Sequence, residues 1–164
     1  MNYGKDFEQL IRTAFEKQPN TSVIRLIDPQ NGYAGVRNIC DFVIYNYPNQ
    51  YLIECKSCRG KSLPMSNITD NQWKGLLEMS SIKGVVAGYM IWFIDCDITI
   101  FVPAAVANEI LQSGRKSISK DIISDSRVIV ITAKKKRVFF EYDMTEFIRR
   151  HQVEDREMSL QDRL

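Results

Sequence analysis

The sequence predicts an α/β domain with a mixed central sheet flanked by helices on both faces, and three stretches carry that reading. Between Tyr3 and Gln18, the residues Phe7, Leu10, Ile11, Ala14 and Phe15 recur at spacings of three and four, the stripe of an amphipathic helix. Cys40 to Ser57, CDFVIYNYPNQYLIECKS, reads as two short strands around a Pro/Asn turn of hairpin length. Val85 to Ile94, VVAGYMIWFI, is apolar throughout, as a strand buried on both faces requires.

In chain order, the first helix stops at Pro19-Asn20, and Ser22 to Ile27 forms a strand. DPQNGYAGVRN follows, a turn-rich loop without periodicity that leads into the hairpin and is long enough to suggest function. After the hairpin, Arg59 to Asn67 is a polar loop, and Thr69 or Asp70 caps a helix carrying Trp73, Leu76, Leu77 and Ile82. The buried strand turns at Asp95-Cys96-Asp97 into ITIFV. Pro103 opens a helix that ends near Gly114. Late strands lie around AKKK, at Arg127 to Ile131 and Arg137 to Tyr142, and Met144 to His151 is a short closing helix. Residues 1–151 are expected to form one domain, and the polar residues 152–164 a frayed tail.

The hairpin carries the chemistry. A four-residue loop at Asn46 to Asn49 pairs residues whose numbers add to 95, so that Asp41 faces Glu54. Alternation puts Asp41, Glu54 and Lys56 on one face and Cys40, Phe42, Ile44, Ile53 and Cys55 on the other. Two carboxylates about 5 Å apart on facing strand positions repel unless a positive charge lies near. Lys56 supplies part of that charge, and hard oxygen ligands at this spacing suit Mg2+ or Mn2+. Glu8 complements the first helix's dipole or supplies a third carboxylate to the hairpin.

The 164 residues are 45% hydrophobic and 26% charged, ordinary for a globular protein, and no apolar run reaches the length of a membrane span. MNYGKDFE has no signal-peptide core, so the chain is read as cytoplasmic. A net charge of +2 does not diagnose a nucleic-acid binder. The distribution says more, because cations gather at Lys56-Arg59-Lys61, Arg115-Lys116-Lys120 and Lys134-Lys135-Lys136-Arg137. Four cysteines with a lone His151 fit neither a disulfide framework nor a zinc site, and read as buried thiols.

Asp41, the hairpin and then Glu54-Cys55-Lys56 resemble the PD-(D/E)xK nuclease motif, without a proline before the aspartate. The order of elements is that of the restriction-endonuclease-like fold. Three segments, GKDFEQLI, KSLPMSNITDNQ and GRKSISKDII, resemble the RecU family of Holliday junction resolvases of bacteria and phages, from Gly4 to about Glu141. That resemblance implies a homodimer cutting four-way DNA junctions symmetrically with Mg2+ or Mn2+. It implies Asp41 and Glu54 as metal ligands and Lys56 as the catalytic lysine, with Glu8 and Gln72 matching an acidic residue of the first helix and a glutamine after the motif. This chain departs from the family in carrying the compact DPQNGYAGVRN where longer members have a stalk, and Cys40 where some have a threonine.

Arg37, Arg59, Lys61, Arg115 and Lys116 are the expected phosphate contacts. The apolar segment Val85 to Val102, with Tyr89, Met90, Trp92, Phe93, Ile98, Ile100 and Phe101, offers material for a dimer interface as well as a core. Two other functions stay open at this point: a DNA-binding or architectural protein with weak or no cleavage, and a nuclease of the same fold acting on ordinary duplex.

Overall fold

The computed structural model describes residues 2–27 and 37–161, without the side chains of residues 153–156 and 158–160. Most of the loop that leads into the hairpin, residues 28–36, therefore lies outside the described residues. Helix α1 (Tyr3–Glu16) is followed by strands β1 (Thr21–Arg25), β2 (Phe42–Asn46), β3 (Asn49–Cys58) and β4 (Ser62–Pro64). Next come α2 (Asp70–Met79), β5 (Val85–Phe93), β6 (Ile98–Pro103), α3 (Ala104–Gln112) and β7 (Ser117–Ser119). The chain closes with β8 (Ile129–Val130), β9 (Thr132–Lys135), β10 (Phe140–Asp143) and α4 (Thr145–Gln161).

Six strands form one mixed sheet in the order β1-β2-β3-β5-β6-β8, with β3 and β5 parallel and the other neighbours antiparallel. Alternation sorts β3 between two cores. Tyr51, Ile53 and Cys55 pack with Phe7, Ile11 and Phe15 of α1 and with Phe147 and Ile148 of α4. Leu52 points the other way, toward Leu76 of α2, Val106 and Ile110 of α3, and Leu63 and Ile118 of the β4–β7 pair. Phe147 fixes α4 on the first face through ring contacts of 5.8 Å with Phe15, 5.5 Å with Tyr51 and 5.0 Å with Phe101. Among the described residues no helix is long and apolar enough to cross a membrane.

Several sequence expectations are corrected. The segment Val85 to Val102 is the middle of the sheet: Tyr89, Met90, Trp92, Phe93, Ile100 and Phe101 are buried within the chain, so it leaves little surface for an interface. Within Arg59 to Asn67, the expected loop contains β4, which pairs with β7 in the register Ser62↔Ser119, Leu63↔Ile118, Pro64↔Ser117. AKKK lies largely within β9 and not in a turn, and the closing helix runs through the polar stretch to Gln161. Ile82 falls beyond the end of α2 and is exposed.

Candidate active site

The hairpin register follows the expected pairing, Phe42↔Ile53 through Asn46↔Asn49, which leaves Tyr47 and Pro48 as the turn. At Asp41 the ladder slips by one residue. The Asp41 N–H donates to Ile53 O at 3.0 Å, and Cys55 N–H, which a backbone carbonyl would otherwise accept, donates to Asp41 Oδ2 at 2.8 Å. A local irregularity of this kind re-aims a side chain at the end of a strand pair. It also carries Cys40 across the sheet: its thiol lies in the core beneath α2, not beside Phe42 and Ile44 as alternation alone predicts. All four cysteines are free, and burial pushes the Cys40 thiol up to about 12.

Glu54 and Lys56 point toward α2. Glu54 is 4% exposed, and its Oε1 takes Lys56 Nζ at 2.8 Å and Gln72 Nε2 at 2.5 Å. Gln72 Oε1 in turn accepts from Lys56 Nζ at 3.2 Å, so carboxylate, ammonium and amide form a closed triangle. The amide is oriented by the start of α2. Thr69 N–H donates to Gln72 Oε1 at 3.1 Å, and Gln72 N–H donates to Thr69 Oγ1 at 3.3 Å, a capping box. In the same helical turn, Asn71 Nδ2 donates to the carbonyls of Arg37 (2.8 Å) and Asn38 (3.2 Å), holding the lead-in to Asp41. One turn of helix therefore braces both halves of the site. Thr69 and Asn71 are supporting residues that the motif does not mark, although the spacing Thr69-x-x-Gln72 is the readable sign of such a cap.

Glu8 approaches from α1, and Arg25 Nη2 binds its Oε2 at 2.6 Å. Its charge adds to a field that already disfavours carboxylates. The Asp41 carboxyl is raised above its ordinary range, first by burial and then by Glu8, against the Cys55 N–H that favours its ionised form. Glu54 is raised by burial and by the Asp41 charge, with Lys56 opposing. Among the described residues no group of three or more His, Cys, Asp or Glu side chains forms a metal-holding cluster. Asp41 Oδ1 and Glu54 Oε2 nevertheless make no hydrogen bond among the described residues. Two hard oxygens on carboxylates that repel each other fit a divalent cation that keeps most of its water.

The expected DNA contacts are all exposed. Arg59 is tied down, pairing with Asp95 at 3.1 Å and lying 5.3 Å from the Tyr3 ring centre. The β4–β7 pair joins two basic segments far apart in sequence: Lys61 O accepts from Lys120 N–H at 2.8 Å, and Lys116 O from Met65 N–H at 2.9 Å. Lys61, Arg115 and Lys116 thus flank one small sheet. Arg37 sits at the first turn of α2, where its carbonyl meets Asn71.

A helix-flanked mixed sheet, with Asp41 entering a hairpin and Glu54-Cys55-Lys56 on its second strand, is the architecture of a restriction-endonuclease-like nuclease. The chain belongs to the RecU family: the family model described as Recombination protein U matches residues 4–153. Among solved structures, the chain resembles Archaeoglobus fulgidus Hjc, described as a Holliday junction resolvase from an archaeal hyperthermophile. The TM-score is 0.52 at 20% identity, over 73% of this chain and 90% of that one, a likeness of fold. A comparison with curated proteins gives no match.

The electrostatics set the sign of a pH effect. A carboxyl whose pKa is higher in the folded than in the unfolded chain stabilises the fold at low pH, and that stability is lost as pH rises through the folded value. Asp41→Asn and Glu54→Gln should therefore make the metal-free protein more stable near neutral pH, by roughly 1–3 kcal/mol. The advantage should shrink as pH falls toward 4, because the parent carboxyls are then protonated too. Thermal melts in EDTA across that range check it, and equal or lower stability of both variants at pH 7 would contradict the assigned repulsion. Separately, Thr69→Ala should cost about 1 kcal/mol of stability. It should also loosen the first turn of α2, where the hydroxyl accepts from the Gln72 backbone N–H, and so slow any activity of the site, while Thr69→Ser restores both; thermal melts and nuclease assays on the two variants check this.

Proposed function

We propose that this chain resolves four-way DNA junctions by hydrolysing paired phosphodiesters, with Mg2+ or Mn2+ held by Asp41 and Glu54. The observation that carries the reading is the partly buried triangle of Glu54, Lys56 and Gln72 beside Asp41, on a chain of the RecU family. When bound, a divalent cation supplies stabilisation of phosphate charge and a more acidic attacking water.

The chain's own side chains do the remaining work. Glu54 and Gln72 hold the Lys56 ammonium at 18% side-chain exposure, where it faces the reacting phosphate and orients the water for in-line attack. Asp41, fixed by the Cys55 N–H, presents its second oxygen to the same space. Glu8, held by Arg25, adds negative charge that strengthens the hold on a cation and is proposed as a third ligand, reached directly or through water. Lys61, Arg115 and Lys116 around the β4–β7 pair, with Arg37 and Arg59, contact phosphates and carry no sequence code.

Among the described residues one chain holds one Asp/Glu/Lys set, and a symmetric pair of cuts calls for two sets related by a two-fold axis, so the active form is a homodimer in this reading. The exposed apolar side chains Ile24 and Tyr45, on one face of the β1–β2 pair, supply surface for it.

Labelled four-way junction, matched linear duplex and single strand, each with Mg2+, Mn2+ or EDTA, test the activity. The junction should be cut with either metal and not in EDTA, and Asp41→Asn or Glu54→Gln should abolish cutting while binding persists. Preferential cutting of plain duplex would favour an ordinary-duplex nuclease, and binding without cutting an architectural protein. Light scattering at micromolar protein should give a dimer mass; a monomer mass both free and on the junction would contradict the paired-cut mechanism.

A further inference from the structure

The basic run Lys134 to Arg137 has no part in the site above. It is carried by the β9–β10 hairpin, whose turn is closed by Lys136 N–H donating to Phe139 O at 2.8 Å. Lys135 pairs with Asp97 at 2.6 Å. Lys136 and Lys17 share Glu141, at 2.9 and 3.2 Å. Lys134 lies opposite Glu141 in the register, on the same face. Five cations thus stand against two carboxylates, and among the described residues Lys134 and Arg137 have no ion pair.

A merely solvated charged loop needs no brace, but this hairpin has one. Phe139 and Phe140 set ring edges against Trp92 at 6.5 and 6.3 Å, and Tyr142 bonds Thr99 at 2.8 Å while packing on Phe7 at 5.9 Å. Trp92 pairs with Ser57, the residue after Lys56, so the hairpin is fixed with respect to the strand that bears the site. Helix α1 lies between the two. Glu8 and Arg12 line a cleft of 550 Å3 that reaches Asp41 on one flank. Leu10, Thr13 and Lys17 line a pocket of 240 Å3 against the hairpin on the other. A helix with its side chains is about 10–12 Å across, close to the ~12 Å width of the DNA major groove.

We propose that the β9–β10 hairpin is a second DNA-backbone contact, through Lys134 and Arg137, taking phosphates across the groove from the strand that enters the Asp41–Glu54 site. The proposal rests on the nuclease reading above. It assigns this surface to duplex phosphate and not to the reaction, so it should govern affinity and its salt dependence while leaving the chemical step alone.

The test is fluorescence anisotropy of the full chain on labelled duplex and labelled junction in EDTA through a salt titration, with cleavage in Mg2+ at saturating DNA. Lys134→Ala with Arg137→Ala should weaken binding to both DNAs and reduce the steepness of log K against log salt by up to about 2, near 0.9 for each phosphate no longer neutralised. The thermal melt and the cutting rate at saturation should not change, and Lys134→Arg with Arg137→Lys should keep the parent slope. A double-alanine variant that matches the parent slope, while Arg115→Ala with Lys116→Ala lowers it, overturns the hairpin contact and leaves the nuclease reading standing. A parent chain that binds neither DNA overturns both.

Discussion

Glu54 is a carboxylate inside a protein, and most of what surrounds it follows from that. An ionised carboxylate is tolerated at such depth only when paired and hydrogen-bonded. Lys56 and Gln72 meet that demand on one oxygen. Burial pushes both the Glu54 and the Asp41 carboxyl up, and neighbouring charge adds to it, that of Asp41 on Glu54 and that of Glu8 on Asp41, more than one lysine neutralises. The fold tolerates this opposition because the groups sit on central strands and a capped helix, where packing of the two cores over-determines their positions. A site that is costly without a counter-charge is one prepared to receive it.

The supporting geometry is local and inexpensive. A one-residue slip in the ladder turns Asp41 toward the second strand, and the first turn of α2 fixes both the lead-in to Asp41 and the amide that orients Glu54 and Lys56. Around this centre, the β4–β7 pair gathers basic residues from two distant segments, and the aromatic brace at Trp92 ties a third to the same sheet. Charge that looks scattered along the sequence is carried by small elements braced against this sheet.

Much of this is legible in the residues themselves. The alternation of YLIECK sets Glu54 and Lys56 against Ile53 and Cys55, and the length of the turn defines the register. The continuous apolar run Val85 to Phe93 marks the central strand. Cys40 defies its predicted face because alternation holds only while the ladder is regular, and the slip at Asp41 depends on a side chain taking a backbone hydrogen bond. Strands β4 and β7 escape a reading by pattern because three residues have no period, and β9 because TAKK is exposed along its whole length. The surplus of aromatics after Val85 reflects a sheet covered on both faces, and the same composition would suit an interface equally well.

The central claim, that Asp41 and Glu54 form a repelling pair relieved by a divalent cation, is met most directly by calorimetric titration of Mg2+ or Mn2+ at pH 6.5 in two buffers of different ionisation enthalpy. Carboxyls with raised pKa hold protons that a cation must displace. The account predicts saturable binding with net proton release, and a smaller release in Glu54→Gln, where Asp41 is the raised carboxyl that remains. Binding without proton release, or release unchanged by that substitution, would contradict it.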